Sequence, residues 1–448
     1  MPTGSPRLTK AARKYLERHA EPEATFATAL AGLGAPYPAV VVIPAYGEHE
    51  LLLQALASVP RCRDGKPLVV LVVNQRDECP AEANNANRKI LEHLRAGPRQ
   101  TLGANVELLV ASESDMVLID RTSAGQRFPE RQGVGLARKI GADFAIALWA
   151  AGGCNSPWIH CTDADVTLPA DYFDRPTANT MELKANSDGA APAALLYDFR
   201  HPAGGNSPGD MAILEYEIFL RYYVLGLRSA SSPYAFHSIG STMAIHANAY
   251  AQVRGFPRRE AAEDFHLLAK LAKVGEVRSL PGEPILLSGR KSERVPFGTG
   301  HAVLAGHARA QSGEPFSAYD PRSFDWLGVW LATLASIAEQ PTAPVSQFLA
   351  LHAQQTDVDA ARLEQLLNTC GALETTQKAL QNKGNTRQSL NESFDALATL
   401  KLIHALRDQV YPAIPLERAL ALASFIDHDP EASLEAQRAA LAKQEVSA

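Results

Sequence analysis

Cysteine is scarce, and what there is follows no pattern. Cys62, Cys79, Cys154, Cys161 and Cys370 are scattered over 448 residues. They show neither the paired spacing of a zinc site nor the density of a disulfide framework, so reduced thiols in a cytoplasmic protein are expected. A positive balance is missing as well. With 43 Lys and Arg against 49 Asp and Glu, and no basic stripe, nucleic acid is not the expected main partner. Long apolar runs are absent: the longest, around Ala142–Ala151 and Trp326–Ile337, fall short of the roughly 20 residues that span a bilayer. Lys10 to His19 is charged and amphipathic, without the apolar core of a signal peptide. No repeat of fixed period is evident. The length suits one large domain with an accessory one, or two to three modest domains.

What is present is strand and helix in alternation. Leu8 to Leu33 reads as a helical arm, ended by Gly32-Leu33-Gly34-Ala35-Pro36. Ala39-Val40-Val41-Val42-Ile43-Pro44 and Leu68-Val69-Val70-Leu71-Val72-Val73-Asn74 are nearly continuous β-branched runs, as strands buried on both faces require. Val106 to Val110 supplies a third strand. Helical spacing covers Leu51–Val59, Ala83–Leu94 and Arg131–Leu148. This rhythm predicts an α/β fold with a mostly parallel sheet flanked by helices. Beyond about Arg309 strand signals disappear and Leu/Ala-rich helical patterns run to the end, with a break at Asn382–Asn385. The expected division is an arm over residues 1–36, a domain over 37–308 and an all-helical accessory region over 309–448. Trp326 and Trp330, one helical turn apart, are expected to anchor those helices on the preceding domain.

The chain is organised around Trp158-Ile159-His160-Cys161-Thr162-Asp163-Ala164-Asp165, a short buried strand running into two carboxylates. Side chains two apart on an extended chain share a face, about 6.6 Å apart, so Asp163 and Asp165 can act together. Hard oxygen ligands of this kind suit Mg²⁺ or Mn²⁺, which takes its other ligands from water and phosphate. The ends of strands in open α/β sheets are also where ligands sit. Taken alone, the pair equally fits a solvated acidic turn. Arg138 and Lys139 follow a glycine-rich helix start, where backbone donors and cations suit phosphate; a solvated basic face is the other reading. His160 is expected to be a sheet residue donating one hydrogen bond. Tyr216, Phe219, Tyr222 and Tyr223 are expected in a helix core.

With the strand order and the Asp pair in view, Ala39 to Leu287 resembles family 2-type glycosyltransferases of the GT-A (Rossmann-like) fold. Val41-Val42-Ile43-Pro44-Ala45-Tyr46-Gly47-Glu48 is similar to the opening strand and its turn. Gly133-Val134-Gly135-Leu136-Ala137-Arg138-Lys139-Ile140-Gly141 resembles the helix that abuts the nucleotide diphosphate, and Asp163-Ala164-Asp165 the metal motif. Gly240-Ser241-Thr242-Met243-Ala244-Ile245 with Val253-Arg254-Gly255-Phe256 resembles the acceptor-side loop. Glu263-Asp264 resembles the Glu-Asp pair that opens a helix. One departure stands out: the second strand ends in Val73-Asn74-Gln75-Arg76-Asp77, where the family carries two acidic residues. The Gln-x-x-Arg-Trp motif of processive members is absent, so a processive polymer synthase is not expected.

The resemblance implies transfer of a sugar from a nucleoside-diphosphate sugar to a hydroxyl acceptor, with Mn²⁺ or Mg²⁺ as cofactor. The acceptor could be a small molecule, a glycan or a lipid-linked molecule met at the membrane surface. Asp264, with Glu263, is implied as the general base of an inverting reaction; acidic residues are equally at home at a helix N-terminus. Pro44, Tyr46, Glu48, Asn74, Arg138, Lys139 and Asp163 are implied donor contacts, with Asp165 the direct metal ligand. Ser288 to His301 reads as a loop closing over the donor. Arg290 and Arg294 would meet phosphate there, and His301 would be a third metal ligand, with His237 as its rival. Two other readings stand beside this one. One is a retaining enzyme of the glucosyl-phosphoglycerate or mannosylglycerate synthase type; the other is a non-catalytic nucleotide-sugar-binding protein. Copies of the chain are expected to associate through the C-terminal helices.

Overall fold

The computed structural model describes residues 8–178, 192–203, 207–290, 299–381, 386–427 and 429–447. The chain forms two compact units: Met1–Pro202 with Ser238–Ser288, and Ala203–His237 with Gly289–Ala448.

The first unit is built on a ten-stranded sheet in the order β3-β4-β5-β2-β1-β6-β9-β8-β10-β7. The strands are β1 (Val40–Ala45), β2 (Leu68–Asn74), β3 (Arg99–Gly103), β4 (Val106–Leu109), β5 (Asp115–Arg121), β6 (Trp158–Cys161), β7 (Val166–Thr167), β8 (Ala194–Arg200), β9 (Met243–His246) and β10 (Val277–Leu287). Its centre, β5-β2-β1-β6, is parallel, with Val40 opposite Leu68 on one side and Ile159 on the other. Toward both edges the sheet is mixed, because β4 and β9 run antiparallel to their neighbours. Every residue of β1 and β2 is buried, as expected for strands covered on both faces. The Val134–Ala150 helix packs on β1, β2 and β6. The N-terminal arm is three short helical turns, Lys10–Arg18, Pro22–Phe26 and Ala27–Ala31.

The strand expected at Val106–Val110 forms over Val106–Leu109, as one half of a hairpin with β3. The parallel strand next to β2 is Asp115–Arg121, whose acidic residues hid it. Asp115 and Asp120 are buried and spent on Lys66, Tyr37, Arg95 and Thr122.

His160 lies in β6 among the rings of Tyr172, Phe173 and Tyr197. The Tyr197 hydroxyl donates to Tyr172 O, so its oxygen accepts from His160 Nδ1, 3.0 Å away. Burial pushes the imidazole down to about 3, below the unfolded value of about 6.5. A depressed folded pKa means stability present above pH 6.5 and lost as pH falls from there toward 3. Lowering the pH to 5 is therefore expected to cost wild type about 2 kcal/mol more than His160→Phe. Urea midpoints of both proteins at pH 7 and pH 5 measure the difference.

The second unit is mainly helical. Three of its helices are started by side chains that accept backbone N–H groups, Ser207 for Pro208–Ser229, Asp359 for Ala360–Thr369 and Asp395 for Ala396–Gln409, each worth about 1 kcal/mol. Residues 203–237 were expected in the first domain. Instead, Ile218, Tyr222 and Leu225 of the Pro208–Ser229 helix share one core with Phe324, Trp330 and Leu402. The boundary near Arg309 moves to Ser288 accordingly. Trp330 packs edge-on against Phe394 and Trp326 against Tyr411, so their ring partners lie within this unit. Among the described residues no helix is long and apolar enough to cross a membrane. The proposed break at Asn382–Asn385 lies outside the described residues.

Candidate active site

From β1 the chain moves outward to β2 and β5. It then returns through the Val134–Ala150 helix to β6 on the other flank of β1. The carboxyl ends of β1 and β6 therefore bracket a topological switch point, the place where open α/β sheets bind ligands. Tyr46, Gly47 and Glu48 leave β1 there. Thr162 continues β6 by donating to Val42 O at 3.1 Å. This sets Asp163 just past the strand, with its side chain 36% exposed. Asp165 follows two residues on, partly exposed.

Behind Asp163 lies a buried arginine. Arg138, on the Val134–Ala150 helix, has a side chain only 4% exposed and pairs with both Asp163 and Glu263. Gly240 fits closely against it: a Cβ there would come within 2.5 Å of the guanidinium. Glu263 and Asp264 open the Glu263–Leu271 helix, which is entered through Ala262 in the left-handed region at φ 59°. Asp264 accepts the Phe265 N–H at 2.7 Å and the Gly240 N–H.

Three carboxylates thus face one guanidinium. Burial raises the Asp264 carboxyl, Arg138 pulls it down and Asp163 adds to the rise. Burial works against the charge on Arg138, but Asp163 and Asp264 outweigh it and raise its pKa.

Among the described residues no group of three or more His, Cys, Asp or Glu side chains converges on a metal position. The donor set fits an ion of the Mg²⁺ or Mn²⁺ kind, which needs one or two carboxylates and completes its shell with water and phosphate. His301 belongs to the Thr299–Ser312 helix of the second unit, and its side chain lies outside the described ones. Arg294 is outside the described residues, and Arg290 falls in the second unit. His237 also lies in the second unit, where its Nε2 is 2.7 Å from Glu445 Oε1.

Two expectations for donor contacts change. Asn74 turns its amide on the protein: Nδ2 donates to Ala45 O at 2.9 Å. It thereby holds the end of β1 rather than presenting that donor to a base. Lys139 does not face the site at all. Its ammonium is buried and donates to Tyr15 Oη (2.6 Å), Asp143 Oδ2 (2.7 Å) and His19 O (2.9 Å). The helix N-terminus read as a phosphate cradle is likewise engaged, with the Gly135 N–H donating to Arg259 O at 3.1 Å.

Asn87 was missed. Fully buried on the Ala81–Leu94 helix, it accepts the Gly47 N–H at 2.9 Å and donates to Asn74 O and Gln75 Oε1. It thus ties the ends of β1 and β2 together around Gly47, whose φ of 64° favours glycine. The signal was a polar residue on the same helical stripe as Ile90 and Leu91. Tyr46 Oη accepts from the Cys79 thiol at 3.7 Å, and Glu48 is buried. Pro44 pairs with Val72 in the ladder. Two open grooves of about 650 and 620 Å³ flank these strand ends. One is lined by Gly47, Glu48, His49 and Lys89, the other by Gln75, Asn87, Asp120 and Thr122. Neither reaches Asp163.

No protein-family model matches the chain, and no curated protein matches it at a significant level. Among solved structures, the mannosyltransferase PcManGT from Pyrobaculum calidifontis, in complex with GDP-Man and Mn²⁺, is 20% identical. It aligns over 87% of this chain and 92% of its own, at a TM-score of 0.34. TarS of S. aureus is 12% identical, over 80% of this chain and 55% of its own, at 0.35. Likenesses this distant carry no argument about activity, which rests on the site.

Proposed function

We propose that the first unit is a metal-dependent, inverting glycosyltransferase of the GT-A kind. It moves a sugar from a nucleoside-diphosphate sugar to a hydroxyl acceptor. The observation that carries this reading is the clustering of Asp163 and Asp264, both partly exposed, with the buried Arg138 and Glu263 at the switch point of the sheet. Such a crevice takes nucleotides in open α/β folds, and a clustered carboxyl with a raised pKa, as on Asp264, marks a candidate acid–base site.

In the reaction the acceptor oxygen bonds to the anomeric carbon, the bond from that carbon to the diphosphate oxygen breaks, and the electron pair leaves with the diphosphate. Asp264 takes the acceptor proton; its raised pKa makes it a stronger base than an exposed aspartate. Arg138 fixes Asp163 and Glu263 relative to each other. Asp165, partly exposed two residues past Asp163 at the end of β6, would be the direct ligand for Mn²⁺ or Mg²⁺. When bound, that ion offsets charge on the departing diphosphate.

The test is a thermal-shift panel of nucleoside diphosphates and nucleotide sugars, with and without Mn²⁺. At about 100-fold over its dissociation constant, the donor class should add roughly 2.7 kcal/mol. The gain should require the metal and vanish in Asp165→Ala. A panel without any shift in wild type would sink the reading.

A further inference from the structure

We infer that the glycine-led start of the Val134–Ala150 helix is a seat for residues 257–262, and that Gly135 is thereby a positioning residue for Asp264. This rests on the reading of Asp264 as the base. The segment from Pro257 to Ala262 leads directly into Glu263 and Asp264, and it lies against the helix start with no room to spare. The Gly135 N–H donates to Arg259 O at 3.1 Å. A Cβ on Gly135 would sit 2.4 Å from Pro257 O and 2.8 Å from Arg259 N and O, backbone atoms that cannot rotate aside. A Cβ on Gly133 would come within 3.2 Å of Glu260 Cα.

Side chains fasten the same segment at Arg258 and Glu260. Arg76, just past β2, donates from Nε to Gln132 O at 3.1 Å and pairs with Glu260 at 2.8 Å. Arg258 pairs with Glu21 at 2.7 Å. The segment then enters the helix through Ala262 in the left-handed region, a conformation that persists only where the surroundings hold it. The helix N-terminus therefore spends a backbone donor on the chain that delivers the base. A glycine at 135 serves backbone approach to residues 257–259, not approach to a phosphate.

The experiment uses the full chain carrying Gly135→Ala. It reads three quantities: hydrogen exchange of peptides covering 257–265, affinity for the nucleoside diphosphate found in the panel, and kcat and KM for transfer. The inference expects faster exchange over 257–265, nucleotide affinity within about twofold of wild type, and kcat lower by about 100-fold, the scale of a 1 Å misplacement. Two results would overturn it: loss of nucleotide affinity together with kcat, which would make the glycine a phosphate cradle after all, or a folded variant with unchanged kcat and exchange. If Gly135→Ala does not fold, Glu260→Ala decides, since it only opens the half-exposed clasp to Arg76. A kcat about two- to fivefold lower, with faster exchange and intact nucleotide affinity, supports the inference; no change in either overturns it. Wild type that binds no nucleotide refutes the transferase reading instead, and the exchange data still report on the seat.

Discussion

Replacing Asp264 with asparagine is expected to lower kcat by about 10²–10⁴-fold, the usual contribution of a positioned base, while nucleotide affinity changes little. Asparagine keeps the shape and an oxygen that can accept the Phe265 and Gly240 N–H groups, which Asp264 accepts now. What it loses is the ability to take a proton. Because burial raises the Asp264 carboxyl and the base must be ionised to act, kcat/KM should fall with decreasing pH at values above the ordinary carboxylate range. Steady-state kinetics of Asp264→Asn beside the thermal-shift assay separates three readings. Lost turnover with retained nucleotide binding supports inversion. Retained turnover points to a retaining enzyme, which needs no base on that face. A wild type that binds nucleotide but transfers nothing to any acceptor is a binding protein.

Much of the framework was legible because burial on both faces writes itself into the chain. β1 and β2 are nearly continuous β-branched runs, and each lies within a residue or two of its expected bounds. β5 escaped because Asp115 and Asp120 bracket a core of only four apolar residues, and the cations that pair with them, Lys66 and Arg95, come from distant segments. The Pro208–Ser229 helix was assigned to the wrong unit because an amphipathic face shows that it packs, not against what. At the site, residue types pointed to the right neighbourhood, but their partners were invisible. Arg138 meets Glu263 across 125 positions of sequence. Successive helix residues lie about 100° apart, so Arg138 and Lys139 could not both face one ligand. Asp143, one turn beyond Lys139 in a run of apolar residues, already marked where the lysine would go.

That aspartate carries the largest stability effect expected here. Asp143 is completely buried, yet it accepts four hydrogen bonds. Oδ1 takes the hydroxyls of Tyr15 (2.5 Å) and Tyr250 (2.9 Å). Oδ2 takes Lys139 Nζ (2.7 Å) and the Glu21 N–H (2.8 Å). The donors come from the Lys10–Arg18 helix, the turn after it, the Val134–Ala150 helix and the Ala247–Gln252 helix. One carboxylate therefore fastens the arm to the body of the first unit. Asp143→Ala would take the nearest counter-charge from a buried ammonium and strand three other donors, and a loss of about 3–5 kcal/mol is expected from urea denaturation. Burial pushes this carboxyl up while Lys139, Tyr15 and the Glu21 N–H pull it down, so Asp143→Asn, which keeps the shape without the charge, should cost less. Pairing Asp143→Leu with Lys139→Met removes both charges and should recover most of the loss, as apolar replacement of buried pairs often does. If the double variant is no more stable than Asp143→Ala, the hydroxyls and the Glu21 N–H, not the ion pair, hold the arm. Either result bears on the site, because Lys139 adjoins Arg138: an arm that loosens frees the helix carrying the arginine that aligns Asp163 with Glu263.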